Sequence, residues 1–133
     1  MKTLVTFVAA AATLLILDGI WLSLMASTYR RLHAGQLLES FRIAPAIAFY
    51  FLYLTGIILL IVFPALQTEE SYVVVASRAA LLGLVAYGTY ALTNYATLKV
   101  YGAQLAMMDL LWGPVLTALS ALAATAAARH YAG

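Results

Sequence analysis

Apolar residues run almost unbroken through four stretches of the chain, Leu4 to Ser27, Ala44 to Leu66, Val73 to Leu98 and Leu105 to Ala128. Each is longer than the roughly 20 mostly apolar residues that carry a helix across the hydrocarbon core, so four transmembrane helices are expected, with some tilt. The segments between them are short and differ in character. Thr28 to Ile43 is the most polar, with Tyr29, Arg30, Arg31, His33, Gly35, Gln36, Glu39, Ser40 and Arg42, and has room for a short interfacial helix. Gln67 to Tyr72 sets Glu69 and Glu70 just ahead of the third helix, where acids suit the positive end of the helix dipole. A turn around Lys99, Tyr101, Gly102 and Gln104 leads into the fourth. Links this short reverse the chain between neighbours. The expected fold is therefore an all-α membrane protein, an antiparallel up-down bundle of four transmembrane helices in one domain over residues 1–133. Lys2 followed by Leu4 to Leu17 imitates a cleavable signal peptide. Apolar character resumes beyond Asp18 through Met25, and the residues around Ala26 make a poor cleavage pattern, so a retained first span is expected.

Chain direction then decides which polar residues can meet. Helices one and three run toward the side of the first and third connections, and helices two and four start from it. Asp18, Trp21, Tyr50, Tyr53, Asn94, Tyr95, Asp109 and Trp112 therefore share that half of the bilayer. The other half, with Val5 to Leu14, Ile58 to Phe63 and the Ala-rich end of the fourth helix, is nearly all apolar. Helical phase narrows the set. Gly83, Tyr87, Tyr90, Asn94, Thr97 and Tyr101 recur at steps of four and three, as one face of a helix requires. Tyr50 and Tyr53 share a face of the second helix, Asp18, Trp21 and Met25 one of the first, and Asp109, Gly113, Leu116 and Ser120 one of the fourth. Four such faces imply a common interior, a pocket walled by Tyr and Trp and floored by Asp18.

Asp18 weighs most in this pattern. It stands on the order of 12 Å from the expected end of its span at 1.5 Å per residue. An acid at that depth costs roughly 2.5 to 3.5 kcal/mol to insert, so such residues face a bundle interior and often mark function. The expected partners are Asn94 or a deep tyrosine among Tyr50, Tyr53, Tyr87 and Tyr90. The plain structural alternative is a polar clasp between the first and third helices, a bond of about 0.6 to 2 kcal/mol. Asp109 divides evenly between a site residue and an acid that complements the start of the fourth helix. Pro114 deprives the Leu110 carbonyl of its usual amide partner and offers the site another acceptor. Tyr29, Tyr72, Tyr101 and Tyr131 suit an interfacial aromatic belt, and Trp112 fits either the belt or the site. Gly83 and the alanines from Ala121 to Ala128 suit close helix packing.

Composition closes off several chemistries. The chain is 65% hydrophobic and 9% charged, which leaves no soluble domain to carry a familiar enzyme site. Seven Lys and Arg are scattered from Lys2 to Arg129, so there is no concentrated basic patch and nucleic acid is not an expected partner. Without cysteine there is no disulfide, thiolate metal site or iron–sulfur cluster, and His33 and His130 fall on opposite faces of the bilayer. No metal and no cofactor is expected. Arg30, Arg31, Arg42 and Lys99 on one side, against Lys2, Arg78 and Arg129 on the other, favour cytoplasmic first and third connections and periplasmic termini.

Three segments carry a family likeness: Asp18-Gly-Ile-Trp21-Leu22, Tyr90-Ala-Leu-Thr93-Asn94-Tyr95-Ala96-Thr97-Leu98, and Asp109-Leu-Leu-Trp112-Gly113. Together they resemble the small bacterial inner-membrane family catalogued as domain of unknown function twenty-one seventy-seven, over nearly the whole chain. The resemblance implies a four-span bacterial protein of the inner membrane and no assigned activity, and the occurrence of some members near fatty-acid-modifying enzymes suits a lipid-related role. The reading that follows is a small binding or transfer protein whose pocket accepts a lipid-like or isoprenoid molecule with a polar head. The candidate ligand-binding residues are Asp18, Trp21, Tyr50, Tyr53, Tyr87, Tyr90, Asn94, Asp109 and Trp112. The alternatives are an accessory subunit of a larger membrane complex, a small lipid-modifying enzyme, and a proton-coupled carrier working as a homodimer. Membrane lipids are the expected surroundings in every case.

Overall fold

A computed structural model describes residues 2–32, 43–99 and 101–132, with the side chains of 26–32, 43 and 132 left aside. Arg30 and Arg31 of the first connection fall in the last turn of α1, with their side chains outside the description, and His33, Arg42 and the interfacial helix expected there lie outside the described residues. All regular structure among the described residues is helical. Helix α1 spans Lys2–Leu32, α2 Ile43–Ile57, α3 Phe63–Gln67, α4 Tyr72–Thr97 and α5 Ala103–Ala132. A π-helical turn, Ile58–Val62, joins α2 to α3, so the two form one continuous rod. Among the described residues, four segments are long and apolar enough to cross a membrane: Lys2–Met25, Ala44–Gln67, Tyr72–Thr97 and Ala103–Tyr131.

Pro64 is the local cause of the π turn. A proline has no amide to offer the carbonyl four residues back, and its ring crowds that carbonyl. Widening the preceding turn relieves the conflict, and the Phe63 amide reaches back five residues to the Ile58 carbonyl. The second span is thus one helix interrupted by a single π turn. The reversal between α3 and α4 turns on Glu69, whose φ of 52° is left-handed. Ser71 caps α4 by accepting the Val74 amide at 3.3 Å. The cap is therefore a serine, and the two glutamates precede the first turn rather than occupy it.

Helix α5 is the centre of the bundle. Gly113, Leu116, Thr117, Ser120, Ala121, Ala124, Thr125 and Ala128 are all buried, on two adjoining faces of one helix. Small side chains permit this, because lipid offers no hydrophobic drive for helices to associate and close van der Waals contact must supply the attraction. Thr6, Ala10, Leu14 and Asp18 form the buried edge of α1 at steps of four. On α4 the corresponding edge is Val75, Ala79 and Gly83. A Cβ built on Gly83 would lie 2.6 Å from the Gly113 carbonyl carbon, and one on Gly113 would lie 2.6 Å from the Gly83 carbonyl oxygen. The α4 and α5 backbones touch there. Gly88 meets Leu110 one turn further on and Tyr90 meets Asp109, so the two helices run in opposite senses.

Candidate functional site

Asp18 sits near the middle of α1 and is 7% exposed. The Tyr50 hydroxyl on α2 donates to its Oδ2, and the Trp112 indole on α5 donates to its Oδ1 at 3.2 Å. Both donors are neutral. The carboxyl group is thus tied to two other helices by hydrogen bonds that fix its orientation and bring no positive charge to it. Trp21, one turn further along α1, stacks on Trp112 with ring centroids 4.6 Å apart and planes 6° from parallel. Asp18 and Trp21 reach α5 together because a step of three places them on one face of α1.

A cavity of about 390 Å³ opens beside this group. Its wall takes Asp18, Trp21 and Leu22 from α1, Phe49 from α2, Ala86, Tyr87 and Tyr90 from α4, and Asp109 and Trp112 from α5. The space exists because α2 leaves the bundle at this end. Ala44 to Phe49 are all exposed, while Ile57, Ile58 and Val62 further along the rod are fully buried. Leu22, Phe49 and Tyr90 are exposed on the outside of the bundle. All three stand on the cavity wall, so they mark its rim.

Asp109 closes the cavity toward the α4–α5 turn and is 3% exposed. Tyr101, in that turn, donates to Asp109 Oδ2, and Tyr90 donates to the same oxygen at 3.3 Å. Tyr101 was expected in the interfacial belt; it is instead 4% exposed, packed with Ala91, Leu105 and Ala106. Burial and the bond to Asp109 push its phenol well above the ordinary tyrosine range, so it stays a donor. Helix α4 ends at Thr97, so the helical stripe that starts at Gly83 does not reach Tyr101, and the fold of the turn sets its inward position. Tyr72 and Tyr131 are exposed at the opposite end, as a belt requires.

Six of the nine candidate residues, Asp18, Trp21, Tyr87, Tyr90, Asp109 and Trp112, line the cavity. Tyr50 stands behind Asp18 as its donor. Tyr53 is turned toward Thr117, to which its hydroxyl is bonded, and meets the Tyr87 ring edge-on at 6.1 Å. Asn94 is half-buried, is not on the cavity wall and is not bonded to Asp18. The stripe on α4 turns outward toward its end, and the tyrosines of α2 and the indole of α5 occupy the space beside Asp18. Leu22, Phe49 and Ala86 are wall residues that sequence reasoning passed over, since an apolar residue in an apolar helix carries no distinguishing signal. Among the described residues, no group of three His, Asp or Glu side chains is placed to hold a metal ion.

A second polar group lies at the other end of the bundle, in the half expected to be nearly apolar. Arg129 donates to the Glu70 carbonyl at 2.5 Å and the Ala65 carbonyl at 3.4 Å, and lies over the Tyr72 ring. Arg78 pairs with Glu70 Oε1 at 2.6 Å. This group fastens the end of α5 to the turn between α3 and α4. Thr6, Thr117, Ser120 and Thr125 are buried within the bundle. The threonine hydroxyls of Thr6, Thr117 and Thr125 bond back to carbonyls of their own helices at 2.7 to 2.8 Å, which is how a polar side chain is carried among apolar neighbours.

No curated protein and no solved structure matches the chain. A family model described as "Predicted membrane protein (DUF2177)" matches residues 3–126, which include every residue of the cavity wall. With four membrane-crossing helices and that match over nearly its full length, the chain belongs to this family of integral membrane proteins.

Proposed function

We propose that the protein binds a lipid-like molecule with a polar head, which enters the cavity sideways from the bilayer. The observation that carries this reading is the composition of the wall. Two carboxylates and two tyrosine hydroxyls stand among indole, phenyl and aliphatic groups, in a space of about 390 Å³ whose rim includes the apolar Leu22 and Phe49. Binding sites for small molecules have this makeup, mostly apolar with a few placed polar groups, and fall in this range of size. In this reading Asp18, Asp109 and Tyr90 address the head, while Leu22 and Phe49 guide the chain outward. The polar roles fall to Asp18 and its neighbours, and Asn94 lies outside them. The family resemblance supports a home in the bacterial cytoplasmic membrane, and the distribution of basic residues supports periplasmic termini, which would set the cavity in the cytoplasmic half.

Mass spectrometry of the intact protein released gently from a nonionic detergent tests the reading. The wild type is expected to retain a single amphiphile per chain, and Ala86→Phe, which puts a ring into the cavity, is expected to release it. A wild type that retains nothing, or an Ala86→Phe variant that retains as much, overturns the proposal.

A further inference from the structure

We propose that the head group taken by this cavity is a cation, an alkylammonium carried on an apolar chain. The inference rests on the binding reading above and adds the chemical class of the ligand. Its first support is the charge of the wall: Asp18 and Asp109 line the cavity, and among the described residues no Lys, Arg or His does. Its second is the way Asp18 is held. The hydrogen bonds that fix its carboxylate come from the Tyr50 hydroxyl and the Trp112 indole, which orient it and bring no positive charge. A carboxylate fixed by neutral donors and facing an apolar space is a seat for an ammonium, because a buried charge is stable there when an opposite charge joins it.

The third support is the kind of apolar group present. Five of the nine wall residues are aromatic: Trp21, Phe49, Tyr87, Tyr90 and Trp112. Aromatic cages of this kind hold ammonium groups by the attraction between a cation and the electron-rich faces of the rings. The Trp21–Trp112 stack keeps two of these rings rigid beside Asp18, so little order is lost when a ligand arrives. A carboxylate or phosphate head would meet two acids and, among the described residues of the wall, no cation. A neutral hydroxyl head would make hydrogen bonds but would bring no positive charge to Asp18.

The chain contains two tryptophans, and both are on the cavity wall, so intrinsic fluorescence reports occupancy without a label. The full chain in dodecyl maltoside, a nonionic micelle that does not favour either sign of charge, is titrated with dodecyltrimethylammonium, dodecanol and dodecanoate. The ammonium probe is expected to bind at least about tenfold more tightly than the other two, and Asp18→Asn to remove most of that preference with the dodecanol response kept. Circular dichroism verifies that the variant is folded, and the three-probe comparison on the wild type stands without it. Equal or tighter binding of dodecanol or dodecanoate overturns the cationic assignment and leaves the binding reading intact. An ammonium preference that survives in a folded Asp18→Asn also overturns it. A fluorescence that responds to none of the three overturns both.

Discussion

Gly83 and Gly113 face each other across α4 and α5 so closely that neither position has room for a methyl group. The two helices meet backbone to backbone there, one turn from Tyr87 on the cavity wall. The contact anchors the wall of α4 to the central helix, and it is available because both residues lack a Cβ.

Gly83→Leu is therefore expected to destabilise the bundle by about 1 to 3 kcal/mol, since a side chain there must push the backbones apart. Ala127, half-buried near the end of α5, gives the control. Ala127→Leu is expected to unfold within a few degrees of the wild type in detergent, and equal unfolding temperatures for the two variants would contradict the placement of this contact.

Asp18→Asn keeps an acceptor for the Tyr50 hydroxyl and nearly the same volume, so it is expected to fold with close to wild-type stability. Asp18→Leu leaves Tyr50 and the Trp112 indole without their acceptor and is expected to cost roughly 1 to 3 kcal/mol. Thermal unfolding in detergent, followed by circular dichroism, distinguishes the two. A leucine variant as stable as the asparagine variant would mean that these hydrogen bonds do not hold α1 to its neighbours.

Tyr101→Phe removes the buried donor to Asp109 and is expected to cost about 1 to 3 kcal/mol near neutral pH, whereas Tyr95→Phe, at a position 50% exposed, is expected to be silent. The raised folded-state affinity of the Tyr101 phenol for its proton gives the difference a pH dependence. Its stabilising contribution is complete below the ordinary value of 10.0, where the unfolded phenol still holds its proton, and declines above it as the unfolded state alone ionises. The advantage of wild type over Tyr101→Phe should shrink from about pH 10 upward. A difference that grows with pH in that range would refute the assignment.

Arg129 and Arg78 should differ sharply although both serve the same turn. Arg129→Leu strips the Ala65 and Glu70 carbonyls of a charged donor and is expected to cost about 1.5 to 3 kcal/mol. Arg78 is 54% exposed beyond its pairing with Glu70, and Arg78→Gln is expected to cost about 1 kcal/mol or less. Unfolding of the two variants side by side, with the larger loss in Arg78→Gln, would reverse the roles.

Reporter fusions test the orientation. A reporter after Gly133 is expected to read periplasmic and one near Gln36 cytoplasmic, from four basic residues against three on the two sides. Opposite signals at both positions would invert the proposed sidedness of the cavity.

The existence of the four helices was determined by the sequence, because a chain in lipid must satisfy every backbone polar group within its own segments and apolar runs of this length leave the helix as the solution. The inward phase of Asp18, Trp21, Tyr87, Asp109 and Gly113 was likewise legible, since the helical repeat makes spacing equivalent to direction. Tertiary structure decided which of these faces found a partner. Asn94 shares the stripe of Tyr87, yet Tyr50 and Trp112 reach Asp18 and it does not, because side-chain reach from neighbouring helices is invisible along one chain. Tyr101 became a buried donor only when the turn folded back over Asp109. Glu70 and Arg129 lie far apart in sequence and meet because the α3–α4 turn closes against the end of α5. The cavity itself depends on α2 departing from the bundle before Tyr53, a divergence set by how whole helices pack and carried by no single residue.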